Sequence, residues 1–102
     1  MYTAPKLLPH IKSRLDITWD DEATDTKMLG IIEDGIAFLD GQLGAPGDYS
    51  TPSHARMLLA EYCRYVRDGA LDVFENNFRS QLLSMQNERA VERHAAETIS
   101  SE

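Results

Sequence analysis

One cysteine, three histidines and a run of acidic residues are the side chains whose types first invite a chemical reading. Cys63 as a nucleophile would need a base to draw off its proton, and His10, His54 and His94 lie on three separate segments. Such partners meet only in the fold, so spacing alone leaves a Cys–His pair open. Cys63, however, stands among apolar residues at helical spacing, the setting of an inert core thiol. There is no HExxH pair and no CxxC pair. Asp16, Asp20, Asp21, Glu22 and Asp25 suggest a calcium loop but fail its spacing: counted from Asp16, the sixth position is Asp21 instead of glycine and the twelfth is Lys27 instead of glutamate. Residues 44–51, GAPGDYST, lack the lysine and following hydroxyl of a phosphate loop. No catalytic, cofactor-binding or metal-binding residue is expected, and the chain reads as a non-enzyme without cofactors.

The elements that would position any site read as helices. The chain has 102 residues, 42% of them hydrophobic and 26% charged, enough for one compact core. No stretch alternates apolar and polar residues as a strand would. Pro5, Leu7, Leu8, Ile11 and Leu15 predict a first helix over 5–15, with Pro9 near its start or bending it. Asp20, or Thr18 with Asp21 as a capping box, predicts the start of a second helix running to about Leu43. Leu29, Ile32, Ile36, Leu39 and Leu43 form its apolar seam, widened by Met28, Ile31 and Phe38. Gly30 and Gly35 interrupt it, either as tolerated weak points or as places where a neighbouring helix comes close.

Gly44 predicts the end of that helix and Pro46-Gly47 a turn. Thr51 as cap and Pro52 at the first helical position predict a third helix. Its apolar positions, Ala55, Leu58, Leu59, Tyr62, Cys63, Tyr65 and Val66, are wider than one stripe. Gly69 is a weak break, after which Leu71, Phe74, Phe78, Leu82 and Met85 resume helical spacing; Asn76-Asn77 marks a kink or a fresh cap. The expected fold is all-α, a compact bundle of three to five helices with two long antiparallel helices, starting near Asp20 and Pro52. One domain is expected over 1–93, with a flexible tail over 94–102.

The net charge is −7, which disfavours a sequence-independent hold on phosphates. The densest basic group, Arg56, Arg64 and Arg67, is interleaved with Glu61 and Asp68. No apolar run is long enough for a membrane span. MYTAPKLLPHIK lacks the features of a signal peptide and Cys63 has no partner for a disulfide, so a cytoplasmic setting is expected. Tyr and Trp are favoured in protein interfaces. Trp19, Tyr49, Leu58, Tyr62 and Tyr65 are therefore the expected contact residues, with Ala55, Leu59, Cys63 and Val66 facing the subunit's own core and the 44–50 loop mobile until Tyr49 docks.

The order of a short helix, LDITWDDEATDTKMLGIIEDGIAFLDGQLG, a loop, and LLAEYCRYVRDGALDVFENNFRSQLLSMQNE resembles the small head–tail connector (adaptor) proteins of long-tailed bacteriophages and prophages. Leu15, Ile17, Asp20-Asp21, Ile31-Ile32-Glu33, Ile36, Leu39, Tyr62-Cys63-Arg64-Tyr65 and Ala70-Leu71 through Phe78 carry the likeness, over about residues 6–90. The resemblance implies a structural protein forming a dodecameric ring of identical subunits. Its partners would be the portal protein and a tail-side connector or tail terminator, with DNA passing through the lumen without specific binding. It also implies a move from host cytoplasm to virion. The alternative reading is a bacterial helical adaptor or regulator that dimerises through its third helix.

Overall fold

The computed structural model describes residues 4–44 and 46–100, with side chains described as far as Glu88. Four helices follow one another: α1 (Ala4–Arg14), α2 (Glu22–Leu43), α3 (His54–Arg67) and α4 (Leu71–Ser100). There is no strand among the described residues. The all-helical fold expected from the spacing is what the chain adopts. α2 and α3 run antiparallel across the connecting loop, but α3 has only 14 residues, and the longest helix is α4 with 30. Its backbone stays helical through Asn76-Asn77, so no fresh cap forms there; the side chains of the expected 94–102 tail and all of residues 101–102 lie outside the described residues.

The helix ends show why the chain turns where it does. α1 carries Pro9 in its interior, which leaves the Pro5 carbonyl without its helical partner. At the other end of α1, Asp16 takes a left-handed conformation, φ 59°, and the chain closes with Asp16 N–H donating to Ser13 O and Ile17 N–H to Lys12 O. Glycine is the usual residue there, and Asp is one of the few others that tolerates it. The next two carbonyls are taken by α3: Arg64 donates to Arg14 O at 2.9 Å and Arg67 to Leu15 O at 3.3 Å. Every carbonyl of the last turn of α1 thus has a donor, and two of the donors come from 50 and 52 residues away.

Neither Thr18 nor Asp20 caps α2. Asp21 does, its carboxylate accepting from Thr24 N–H at 3.0 Å and Thr24 Oγ1 at 2.8 Å, and those bonds hold its carboxyl below the usual range. Gly44, φ 72°, closes α2 as expected. α3 begins two residues after the expected Thr51–Pro52 start. Ser53 is its cap, because its hydroxyl both accepts from Arg56 N–H and donates to Asp48 O, tying the cap to the loop. Gly69, φ 70°, ends α3 with Gly69 N–H on Val66 O and Ala70 N–H on Tyr65 O.

α3 is the centre of the molecule. It packs against α2 on one side and α4 on the other, and also touches α1. Leu58, Leu59, Ala60 and Cys63 are at most 1% exposed. That placement explains the breadth of its apolar surface, which two neighbours require. α4 returns antiparallel to α3: Glu88 pairs with His54 near one end, and Asn77 donates to the Tyr65 hydroxyl near the other. An aromatic ladder joins three helices, running from Phe38 through Tyr62 and Phe74 to Phe78, with centroid separations of 5.1–5.6 Å. The seam of α2 is rotated slightly from its expected register: Met28, Ile31, Ile32, Gly35, Leu39 and Leu43 are buried, while Leu29 and Ile36 are half-buried.

The two glycines of α2 separate cleanly. A Cβ at Gly35 would lie 2.7 Å from Leu59 Cδ1 and 2.9 Å from Tyr62 Cδ1, so α3 approaches α2 across a position that only glycine fits. A Cβ at Gly30 would meet nothing within 4 Å. Gly35→Ala should therefore destabilise the fold by about 1–3 kcal/mol through overpacking. Gly30→Ala should stabilise it by about 0.5–1 kcal/mol through helix propensity. Urea unfolding monitored by circular dichroism gives both differences.

Candidate association surface

The five residues expected at a contact surface fall in very different places. Leu58 is fully buried and Tyr62 is 7% exposed, its ring edge-on to Phe74. Within the subunit both are internal: the α3 face that reads from sequence as spare is covered by α2 and α4. Tyr65 is half-buried, its ring edge-on to Phe74 and Phe78 and its hydroxyl accepting from Asn77. Val66, expected in the core, is only partly buried.

Tyr49 is also internal, 1% exposed. Its hydroxyl donates to Asp40 Oδ1 at 2.6 Å, and the same oxygen accepts from Gly47 N–H at 2.8 Å. Asp40 lies in the last turn of α2, so one carboxylate oxygen fixes the loop that leaves its own helix. A Cβ at Gly47 would come within 3.0 Å of the Tyr49 ring, so the loop folds flat on that tyrosine. Tyr49 thus anchors the loop from within the subunit instead of standing on its surface. Nothing in the spacing of GAPGDYST pairs it with an aspartate nine residues back; that partnership is set by the turn.

Trp19 alone of the five stays substantially exposed, at 47%. It sits in the short connector between the Asp16 turn and the Asp21 cap, with the Arg67 guanidinium 5.9 Å from its ring centroid. Arg67 is the residue that also caps α1, so the ring is held by the same contact that closes the helix. Beside it lies an open groove of about 490 Å³ whose walls include Leu8, Pro9, Ile17 and Trp19. At its charged end Lys12 reaches Asp25 at 2.8 Å and Asp20 at 3.3 Å. The hydrogen bond to Asp25 raises the Lys12 pKa against the opposing effect of burial, with Asp20 adding to it, so the ammonium stays charged and fixed. Among the other described large apolar residues, Leu71, Val73 and Leu83 are exposed, all on α4. Leu71 stands at the helix start on the face of Phe74 and Phe78, while Val73 and Leu83 lie on the outer side, so the three form no single stripe.

The residues with reactive side chains lie elsewhere. Cys63 is fully buried, and burial pushes its thiol up to about 12, so it is neutral at physiological pH. His54 pairs with Glu88, His10 faces Arg14 and Arg56, and the side chain of His94 lies outside the described residues. Among the described residues no three His, Cys, Asp or Glu side chains converge to hold a metal ion. No described helix is long and apolar enough to cross a membrane. No protein-family model, curated protein or solved structure matches the chain.

Burial and the bond to Asp40 push the Tyr49 phenol well above its usual 10, and burial pushes Cys63 above its usual 9. Both groups are neutral when protonated, so the folded state holds protons that the unfolded chain releases. Their contribution is complete below pH 9 and is lost as pH rises, first through Cys63 and then, above 10, through Tyr49. Stability should fall by up to about 1.4 kcal/mol per pH unit for each such group. Tyr49→Phe should lower stability at neutral pH by about 1 kcal/mol and flatten the decline above pH 10. Chemical unfolding across that range measures both effects.

Proposed function

We propose that the chain acts by association and not by catalysis, as a subunit of an oligomeric ring that joins a phage head to its tail. The portal protein would lie on one side and a tail-side connector or tail terminator on the other, with the DNA conduit running through the middle. The observation that carries the reading is Trp19, a large aromatic left 47% exposed beside an apolar-walled groove in a chain whose core is otherwise closed. Tryptophan is the residue most enriched among interface anchors. The order of residues that resembles the connector family supports the same reading. So does a net charge of −7, which suits a channel that DNA must traverse without sticking.

A closed ring needs a heterologous interface, in which one surface of each subunit meets a different surface of the next. On this reading the groove at Trp19 would be one such surface and the outer side of α4, where Val73 and Leu83 are exposed, the other. A dimer built on α3 is less well served, since the apolar width of that helix is spent on α2 and α4.

Sedimentation velocity over a concentration series, with and without the portal protein, tests this. The wild type should pass from monomer to one large closed species. Trp19→Ala and Leu83→Glu should leave the melting curve of the monomer nearly unchanged and weaken assembly by roughly 1–3 kcal/mol. An end point at the dimer, or variants that assemble like the wild type, would reject the ring and its anchor.

A further inference from the structure

A small concavity between α1 and the start of α3 gathers positive charge in a protein that is otherwise strongly acidic. It has a volume of about 130 Å³ and is walled by His10 and Arg14 of α1, Pro52 and Ser53 at the α3 cap, and Arg56 and Met57 of α3. Among the described residues neither Arg14 nor Arg56 forms an ion pair, although the chain carries 17 acidic side chains. Their role is not that of Arg64 and Arg67, which close the end of α1. The Arg14 guanidinium has no hydrogen bond among the described residues, and Arg56 makes only a long one of 3.4 Å to Ser50 O. His10, half-buried between them, has its pKa lowered by burial and by the charges of Arg56 and Arg14. Like charges lining one concavity repel one another, and among the described residues no carboxylate pairs with either arginine.

We propose that this concavity is a binding site for a phosphate-sized oxyanion, held by the guanidinium groups of Arg14 and Arg56 with His10 as a third contact. Planar guanidinium donors suit the oxygens of a phosphoryl group. The α3 cap, Ser53, lines the same concavity, and of the first N–H groups of that helix it satisfies only that of Arg56. The phosphoryl group could be a free ion or part of a nucleic-acid backbone. The net charge of −7 opposes a polyanion, so the free ion is the expected source. The site does not depend on ring formation.

The test is a thermal melt of the full chain in inorganic phosphate against sodium chloride of equal ionic strength, alongside Arg14→Gln, Arg56→Gln and the control Arg79→Gln. Phosphate also strengthens burial in general, so the difference between variants is what counts. At phosphate about tenfold above its Kd, the wild type and Arg79→Gln should gain about 5 °C more than Arg14→Gln. Arg14 is exposed, so its replacement keeps the fold even if Arg56→Gln loosens the loop. A second reading follows the His10 ring by NMR, where phosphate should shift its signals saturably and raise its titration midpoint, and Arg14→Gln should abolish both. A short duplex DNA that produces the same His10 shifts would place the phosphoryl group on a backbone, and one that does not would leave the free ion. Equal gains in all variants, or His10 signals indifferent to phosphate, would overturn the site.

Discussion

The structure depends on α3 being buried from two sides at once. A helix of 14 residues with six of them buried can be satisfied only if neighbours cover it from different directions, and α2 and α4 do so. Gly35 lets α2 come close enough for Leu59 and Tyr62 to lie against its backbone. On the opposite side Phe74 enters between Tyr62 and Tyr65, and Phe78 continues the stack. Edge-on and offset aromatic pairs contribute beyond the area they bury, by roughly 0.5–1.5 kcal/mol each. The ladder therefore fixes the register of α4 as well as its contact.

The ends of α3 organise the rest. Near its C-terminus Arg64 and Arg67 supply the donors that α1 lacks, which makes the end of α1 a tertiary feature. Arg67 then continues outward to Trp19, so the most exposed aromatic ring of the described chain rests on the same side chain that seals the inner helix. Near its N-terminus Ser53 links the cap to the loop, and Asp40 links the loop back to α2 through Gly47 and Tyr49. Local backbone satisfaction and tertiary packing are carried by the same few residues at both ends.

How much of this was legible follows from the range of the interactions. The helical class, the glycine stops at Gly44 and Gly69, and the core positions Leu7, Ile11, Leu39, Leu59 and Phe74 can be read from spacing, because periodicity and left-handed caps are local. The end of α1 near Leu15 is legible too, but the left-handed turn at Asp16 is not, since its neighbouring carbonyls are satisfied by arginines 50 and 52 residues away. The start of α3 was misplaced by two residues because Ser53 gains from Asp48, a partner set by the loop. The contact surface suffered most. A wide apolar helix looks the same in sequence whether its second face meets another subunit or its own α4, and a tyrosine in a glycine-rich loop looks exposed until an acceptor such as Asp40 is found beneath it. Trp19 was legible as a surface residue because its neighbours, Thr18, Asp20 and Asp21, are all polar.

The central claim is that association uses the outside of this closed subunit, with Trp19 in the contact, while the apolar breadth of α3 stays internal. As the chain has one tryptophan, its fluorescence reports that position alone. Emission spectra and iodide quenching should be recorded on fractions whose particle size is known from sedimentation. The account predicts that the large species emits at shorter wavelength than the monomer and is markedly less quenched, because a ring 47% exposed in the subunit becomes covered. A large species whose tryptophan emits and quenches as the monomer does would contradict it.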